Sequence, residues 1–560
     1  MRAMISLLAV AVCLSISKGA SAALVTTDVS YLENGVTLHG YAAYDNASAN
    51  AKPVVVIVPQ WSGLGNYEKK RAVMLADLGY FAFAADIYGV GALNSTSTMA
   101  DWGVQAGIYR GDVPLFVRRI AAAVTEAKSH DMADGSKVVA IGYCFGGTGV
   151  INYAISGADV LGVVSFHGGL TSRSNASLAA IPAKVLVLSG GTDDAHSEVS
   201  ELEDELTQAN ATWEITRYGH VLHSFTEWGA DSPGRAKYDM RADMRSWETL
   251  KLFLAEVFNG TIPATYTNTV DHTDASTIVK GHVNYTDSHD LMNMPVNLTG
   301  YHAYDSSLTA PLPIVVVIPT WTGLGEYVMQ RVEMLAELGY YAFAADIYGP
   351  DFPADAGQPD YRKFSTMYNS NTTLYVNRIH AGIMKAKEEQ WGDASKIAAI
   401  GYCFGGTGVL NLAITGGDVL GVVSFHGGLV LRANVSASIP ITAKVLVLSG
   451  GDDDPQSEVN ELEGELNGAD ATWEMSRYGH VVHGFTEWNG RGYNARADMA
   501  SWNSMKMFLH EIFVAGVVGS TEPVLPSNAT TRDSDSAGSL STSAPYTLLF
   551  TIFAASLFAR

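Results

Sequence analysis

Two cysteines, two pairs of adjacent aspartates and four histidines recur in the same order twice along the chain, and together these residue types can carry out nucleophilic acyl transfer. Cys144 lies in Gly-Tyr-Cys-Phe-Gly-Gly at 142–147, and Cys403 lies in the same hexapeptide at 401–406. Asp193 and Asp194 follow Leu-Val-Leu-Ser-Gly-Gly-Thr, and Asp453 and Asp454 follow Leu-Val-Leu-Ser-Gly-Gly-Asp. His220 and His223, then His480 and His483, stand in Tyr-Gly-His-Val-x-His segments further on. A thiol needs a base to take or hold its proton, and the base needs a carboxylate to fix its tautomer and stabilise the imidazolium. Either histidine and either aspartate of each pair has the right chemistry. His167 and His426, in Ser-Phe-His-Gly-Gly, read instead as structural residues at strand ends.

The elements that must position these groups can be read from the flanking sequence. Each cysteine follows a short apolar run (137–141, 396–400) and precedes an apolar stretch with helical potential, which places it on a strand-to-helix turn. Glycines on both sides permit such a sharp turn, and the N–H groups of the following helix lower the pKa of a thiol at its N-terminus. In the first copy, strands are expected near 54–58, 81–84, 138–141, 160–165, 185–188 and 213–217, and helices near 67–78, 113–128, 147–155, 197–209 and 240–258. Near-continuous apolar strands alternating with helices indicate an α/β protein, its mostly parallel sheet covered on both faces. A nucleophile elbow after a central strand, followed by acid and histidine in that order, indicates the α/β-hydrolase fold. The Gly-x-Gly-x-x-Gly spacing of a dinucleotide site is missing after the first strand, no cofactor is implied, and no Cys/His cluster has the spacing of a metal site.

Segments match at intervals of 259 or 260 residues, as in Leu78-Gly-Tyr-Phe-Ala-Phe-Ala-Ala-Asp-Ile-Tyr-Gly and its counterpart from Leu338. A period this long signals two whole domains, placed at 25–260 and 283–516 with a polar linker at 261–282. Met1 to Ala22 reads as a secretory signal peptide, with an apolar stretch and a terminal Ala-Ser-Ala. Ten Asn-x-Ser/Thr sequons fit the same route. Residues 517–544 form a Ser/Thr-rich stalk, and the apolar tail 545–560, after small residues at Ser536, matches a glycosylphosphatidylinositol signal. These features lead us to expect a secreted, cell-surface glycoprotein touching membrane only through a lipid anchor. A net charge of −22 argues against nucleic-acid partners. With Cys13 in the leader, the mature chain holds two cysteines, and a disulfide would have to join the equivalent turns of both domains.

The hexapeptide, the Gly-Gly-x-Asp segment and the late His-x-Phe together resemble the dienelactone hydrolase family, whose type member is carboxymethylenebutenolidase, over nearly the whole of both domains. The resemblance implies a cysteine hydrolase of lactones and small esters acting through an acyl-enzyme. It implies the triads Cys144, Asp193 and His223, and Cys403, Asp453 and His483, and it favours Asp193 over Asp194 and His223 over His220. It also implies oxyanion donors at the backbone N–H groups of Phe145 and Trp61, and of Phe404 and Trp321. Two positions depart from the family pattern. A glutamate that helps activate the cysteine is replaced by Gln60 and Thr320, and an arginine that binds a substrate carboxylate is replaced by Glu227 and Glu487. Arg71 and Arg331 are the candidates for a substitute positive charge.

Overall fold

The computed structural model describes residues 24–171, 180–259, 277–288, 295–430 and 440–514. The expected leader, stalk and tail, and the sequons at Asn175, Asn434 and Asn528, lie outside the described residues.

The first repeat contributes β1 (Leu24–Glu33), β2 (Val36–Asp45), β3 (Lys52–Val58), β4 (Phe81–Ala84), β5 (Ala133–Tyr143), β6 (Gly162–Phe166), β7 (Lys184–Gly190) and β8 (Trp213–Tyr218) to one sheet. A small hairpin follows, made of β9 (Asp231–Ser232) and β10 (Ala236–Lys237). The second repeat supplies β11 (Ile278–Asp287), β12 (Val296–Asp305), β13 (Leu312–Ile318), β14 (Tyr341–Ala344), β15 (Gly392–Tyr402), β16 (Gly421–Phe425), β17 (Lys444–Gly450) and β18 (Trp473–Tyr478). In each repeat an antiparallel hairpin leads into a parallel array, in the order β1-β2-β4-β3-β5-β6-β7-β8 for the first. β11 begins inside the stretch expected to be linker, because Ile278 to Asp287 pairs along its whole length with β12.

The sheet does not end at β8. It continues through antiparallel pairing of β8 with β18, with Thr216 opposite Ser476, and makes one sixteen-stranded sheet. Unpaired N–H and C=O groups at that edge of either repeat are thereby satisfied by the other.

The central strands are buried on both faces, and their alternation sorts the core into two layers. In the second repeat Ile314, Val316 and Ile318 meet Ile379 and Ile383 of helix Thr372–Glu388 on one side. Val315 and Val317 belong to the core on the other face, which also holds Val332 and Leu335 of helix Glu326–Glu337 and, further along the sheet, Leu509 of helix Ala495–Phe513. Each such side chain stabilises the fold by roughly 1.5–3 kcal/mol. Helix Val113–Lys128 starts as its sequence dictates: Asp112 accepts a hydrogen bond from Leu115 N at 2.9 Å, and Pro114 occupies the first turn. Helix Met99–Gly111 was not expected, since Met99, Val104 and Ile108 are exposed and make no buried stripe.

Candidate active site

Both cysteines sit where a strand turns sharply into a helix. Cys144 has φ 54° and ψ −114°, between β5 and helix Phe145–Ile155, and Cys403 has φ 55° and ψ −117°, before helix Phe404–Ile414. A left-handed φ is unfavourable for a residue with a Cβ, so the surroundings must impose it. They do so by close packing. A Cβ on Gly142 would collide with the Gly146 carbonyl, one on Gly146 with the Val58 carbonyl, and one on Gly147 would lie 2.6 Å from Ser165 Oγ. The Cys144 N–H is held by the Phe166 carbonyl at 3.0 Å.

The side chains that the sequence brackets as acid and base converge on these elbows. His223 Nε2 lies 3.0 Å from Cys144 Sγ, and His223 Nδ1 lies 2.8 and 3.1 Å from the two Asp193 oxygens. The second repeat repeats the chain, with His483 Nε2 3.0 Å from Cys403 Sγ and Nδ1 3.0 Å from both Asp453 oxygens. Asp194 and Asp454 turn the other way, each accepting from a serine hydroxyl, Ser189 and Ser449, at 2.7 Å. His220 and His480 are exposed and stand apart from the cysteines' hydrogen bonds.

Burial by itself would lower the His223 and His483 pKa values. Hydrogen bonds and charge attraction from the aspartate and cysteine outweigh it and raise them to about 10 and about 11. Burial, reinforced by the neighbouring Asp193 charge, pushes Asp194 up to about 7.

His167 and His426 are fully buried beside the site, their pKa values driven well down by burial and by the adjacent His223 and His483. His167 Nε2 meets Thr226 Oγ1 at 2.7 Å, and Thr226 Oγ1 also meets Tyr67 Oη at 2.7 Å. Arg71 is not free for a substrate: it is buried, paired with Asp243 at 2.6 Å, and donates to the Thr226 carbonyl at 2.9 Å. Arg331 is equally committed, to Asp498 at 2.5 Å and the Thr486 carbonyl at 3.0 Å. Both arginines brace the loop that follows the histidine.

The turns bearing Trp61 and Trp321 lie against the elbows, since a Cβ added to Gly146 or Gly405 would come within 2.6 Å of the Pro59 or Pro319 carbonyl oxygen. Tyr88 Oη donates to the Trp61 carbonyl at 2.8 Å, and Tyr348 Oη to the Trp321 carbonyl at 2.9 Å. In the first repeat Glu68, 1% exposed, accepts from the N–H groups of Gln60 and Gly65, and Gln60 Nε2 donates to Glu227 at 3.2 Å. Neither tyrosine nor Glu68 was singled out from the sequence. The glutamate has a legible signal, standing three residues after Gly65 at a helix start, as in a capping box.

The two sites differ in cover. The segment between His223 and Met240 is five residues longer than that between His483 and Ala495, and it forms the β9–β10 hairpin, whose Lys237 N–H bonds the His223 carbonyl at 3.0 Å. The His223 side chain is 27% exposed and that of His483 48%. Arg110, over the Phe145 ring at 5.8 Å, adds a cation near the first site, where the second repeat has Asn369.

Among the described residues no group of three or more His, Cys, Asp or Glu has the arrangement to hold a metal, and no helix is long and apolar enough to cross a membrane.

The family pattern described as "Dienelactone hydrolase family" matches residues 38–258 and again 298–513, most of both repeats. The chain belongs to the dienelactone hydrolase family. Relatives in this family include a Yersinia pestis protein named "Putative carboxymethylenebutenolidase", 25% identical over 42% of this chain and 92% of its own length. An uncharacterised Caenorhabditis elegans protein, K02A2.1, is 31% identical over 25% of this chain and 92% of its own. Among solved structures, a dienelactone hydrolase-like promiscuous phosphotriesterase from metagenomic libraries is 31% identical, covering 42% of this chain and all of its own, with a TM-score of 0.40. The present chain therefore carries two dienelactone hydrolase regions on one α/β sheet.

Proposed function

We propose that each repeat is a cysteine-dependent hydrolase that opens lactones or cleaves small esters through an acyl-enzyme. The observation that carries this reading is the unbroken cysteine–histidine–aspartate line, present twice with matching distances. Cys144 Sγ attacks the carbonyl carbon as the thiolate while His223 holds the proton, and the developing oxyanion is received by the backbone N–H groups of Phe145 and Trp61. As the tetrahedral intermediate collapses, His223 gives its proton to the leaving alkoxide, which in a lactone stays tethered to the acyl group. His223 then takes a proton from water, which attacks the thioester and regenerates the thiol. Asp193 keeps Nδ1 protonated and balances the imidazolium throughout. Cys403, Asp453, His483, Phe404 and Trp321 take the same parts in the second repeat.

The thiol–imidazole contact is formed with Gln60 and Thr320 in place of a glutamate, which supports a reading in which the histidine alone activates the cysteine. Both sites carry a glutamate at the matching position, Glu227 and Glu487, and the first alone adds Arg110, so the first should accept an anionic ester better than the second. The apolar leader, the tail signal and the exposed sequon asparagines Asn46, Asn94, Asn210, Asn259, Asn284 and Asn297 support a secreted, surface-anchored glycoprotein.

The test is hydrolysis of lactones and of neutral and anionic aryl esters by the full-length protein, beside Cys144→Ala, Cys403→Ala and the double variant. Each single variant should lose one component of turnover and the double variant all of it. A folded protein that turns over no substrate while still binding one would make it a ligand-binding member of the family.

A further inference from the structure

The acid turn of each site is closed by the other repeat. Because β8 and β18 are antiparallel, the start of β18 lies against the end of β8, beside the loops that carry Asp193 and His223. Trp473, fully buried, fills that place. Its indole occupies the position a Cβ on Gly219 would take, and a Cβ on Gly191 would be 3.1 Å from its Cζ2. The Gly219 N–H donates to the Trp473 carbonyl at 2.8 Å, and Asn467 fixes the indole N–H at 2.9 Å.

A second connection reaches the same turn. Arg217 Nη2 donates to the Gly191 and Asp194 carbonyls at 3.0 and 3.2 Å, bracketing Asp193, while its Nη1 pairs at 2.7 Å with the fully buried Glu463 of the second repeat. The arrangement is reciprocal. Trp213 packs on Gly451 and Gly479, and Arg477 holds the Gly451 and Asp454 carbonyls, both at 3.1 Å, while pairing with Glu203 at 3.3 Å. A tryptophan and a glutamate from one repeat thus converge on the turn that presents the other repeat's aspartate.

We propose that the two triads are completed in trans across the β8–β18 seam: Trp473 and Glu463 are positioning residues for Asp193, and Trp213 and Glu203 for Asp453. A displacement of Asp193 by a fraction of an ångström alters its hold on His223 Nδ1 and, through it, the reactivity of Cys144. The consequence for turnover rests on the hydrolase reading above, whereas the consequence for thiol reactivity rests on the geometry alone.

The experiment uses the full-length chain carrying Glu463→Gln, Trp473→Phe or Trp473→Ala, and the mirror variants Glu203→Gln and Trp213→Phe. Iodoacetamide labelling is followed against pH, and Cys144 and Cys403 are quantified separately by peptide mass spectrometry. Site-resolved turnover is measured in Cys403→Ser and Cys144→Ser backgrounds. Glu463→Gln and Trp473→Ala should change the Cys144 labelling profile and lower first-site turnover by about 10-fold or more, leaving Cys403 as in the parent, with Trp473→Phe intermediate. The mirror variants should act on Cys403. Equal change at both cysteines, change confined to Cys403 in the Glu463 and Trp473 variants, or no change at either would overturn the proposal. Should Trp473→Ala fail to fold, the isosteric Glu463→Gln and the aromatic Trp473→Phe decide it by the same criteria. A shifted Cys144 profile in a protein without turnover would uphold the positioning and reject the hydrolase reading.

Discussion

Asp193 and Asp194 are neighbours in the chain with opposite surroundings, and their contrast gives the sharpest test at the scale of single residues. Asp193 faces His223 and Asp194 faces Ser189. Asp193→Asn should lower first-site turnover by roughly 10²–10⁴, as expected when the carboxylate that sets the imidazole tautomer is lost. Asp194→Asn keeps the bond to Ser189 and should leave turnover within a few-fold. Its effect on stability depends on pH. The native state raises Asp194 from 3.8 to about 7, so it retains a proton that the unfolded chain releases, and its contribution to stability falls as pH rises through that window. Asp194→Asn should therefore raise Tm above pH 7 and change it little near pH 4, as read by thermal melts. His223 and His483 work in their own range. With native pKa values of about 10 and about 11 against 6.5, their contribution is full below pH 6.5 and is lost as pH climbs through the native values. Between pH 7 and pH 10, an Asp193→Asn/Asp453→Asn protein should lose less Tm than the parent. The candidate residues were legible in the sequence, but their number exceeded the number of roles, because adjacent aspartates and histidines three apart differ only in where the backbone points them.

At the scale of elements, the strands and helices around the elbow were readable wherever burial imposed a pattern. Phe81–Ala84 and Val113–Lys128 match their expected limits, one as an all-apolar buried strand and the other as an amphipathic helix with a cap. Helix Met99–Gly111 and the β9–β10 hairpin were not readable, since one exposes its apolar residues and the other is mostly solvent-facing. That hairpin distinguishes the sites. Replacing residues 227–239 by residues 487–494 should raise the rate at which a bulky maleimide labels Cys144 toward that of Cys403, with small iodoacetamide affected much less. Equal acceleration of both reagents would show that the hairpin holds the catalytic groups rather than covering them.

The molecule as a whole is a pair of repeats joined edge to edge, and the seam is unusually rich in buried charge. Arg245 forms two hydrogen bonds to Glu474, at 2.7 and 2.8 Å, with both side chains almost wholly buried. The second repeat has Ala500 at the corresponding place, so this pair occurs on one side only. Arg245→Leu should cost up to about 3–5 kcal/mol in urea unfolding, because it leaves buried Glu474 with only the longer contact to Arg241 at 3.6 Å, while Arg245→Leu/Glu474→Leu should recover much of that loss. Since contacts across the seam hold both acid turns, the two repeats should unfold in one transition by circular dichroism and by labelling of either cysteine.

What the sequence determined by itself is whatever depends on contiguous residues: the duplication, the α/β order of elements, the glycine-flanked elbow, and the succession of cysteine, aspartate and histidine. Close spacing carries that information, because a turn without room for a Cβ or a strand buried on both faces constrains the residues that form it. The tertiary structure decided which aspartate faces the histidine, that Arg71 and Arg331 are committed to Asp243 and Asp498, and that β8 of one repeat pairs with β18 of the other. Those outcomes depend on groups more than a hundred residues apart meeting in space, or on the direction of one side chain in a turn, and neither leaves a periodic trace in the chain.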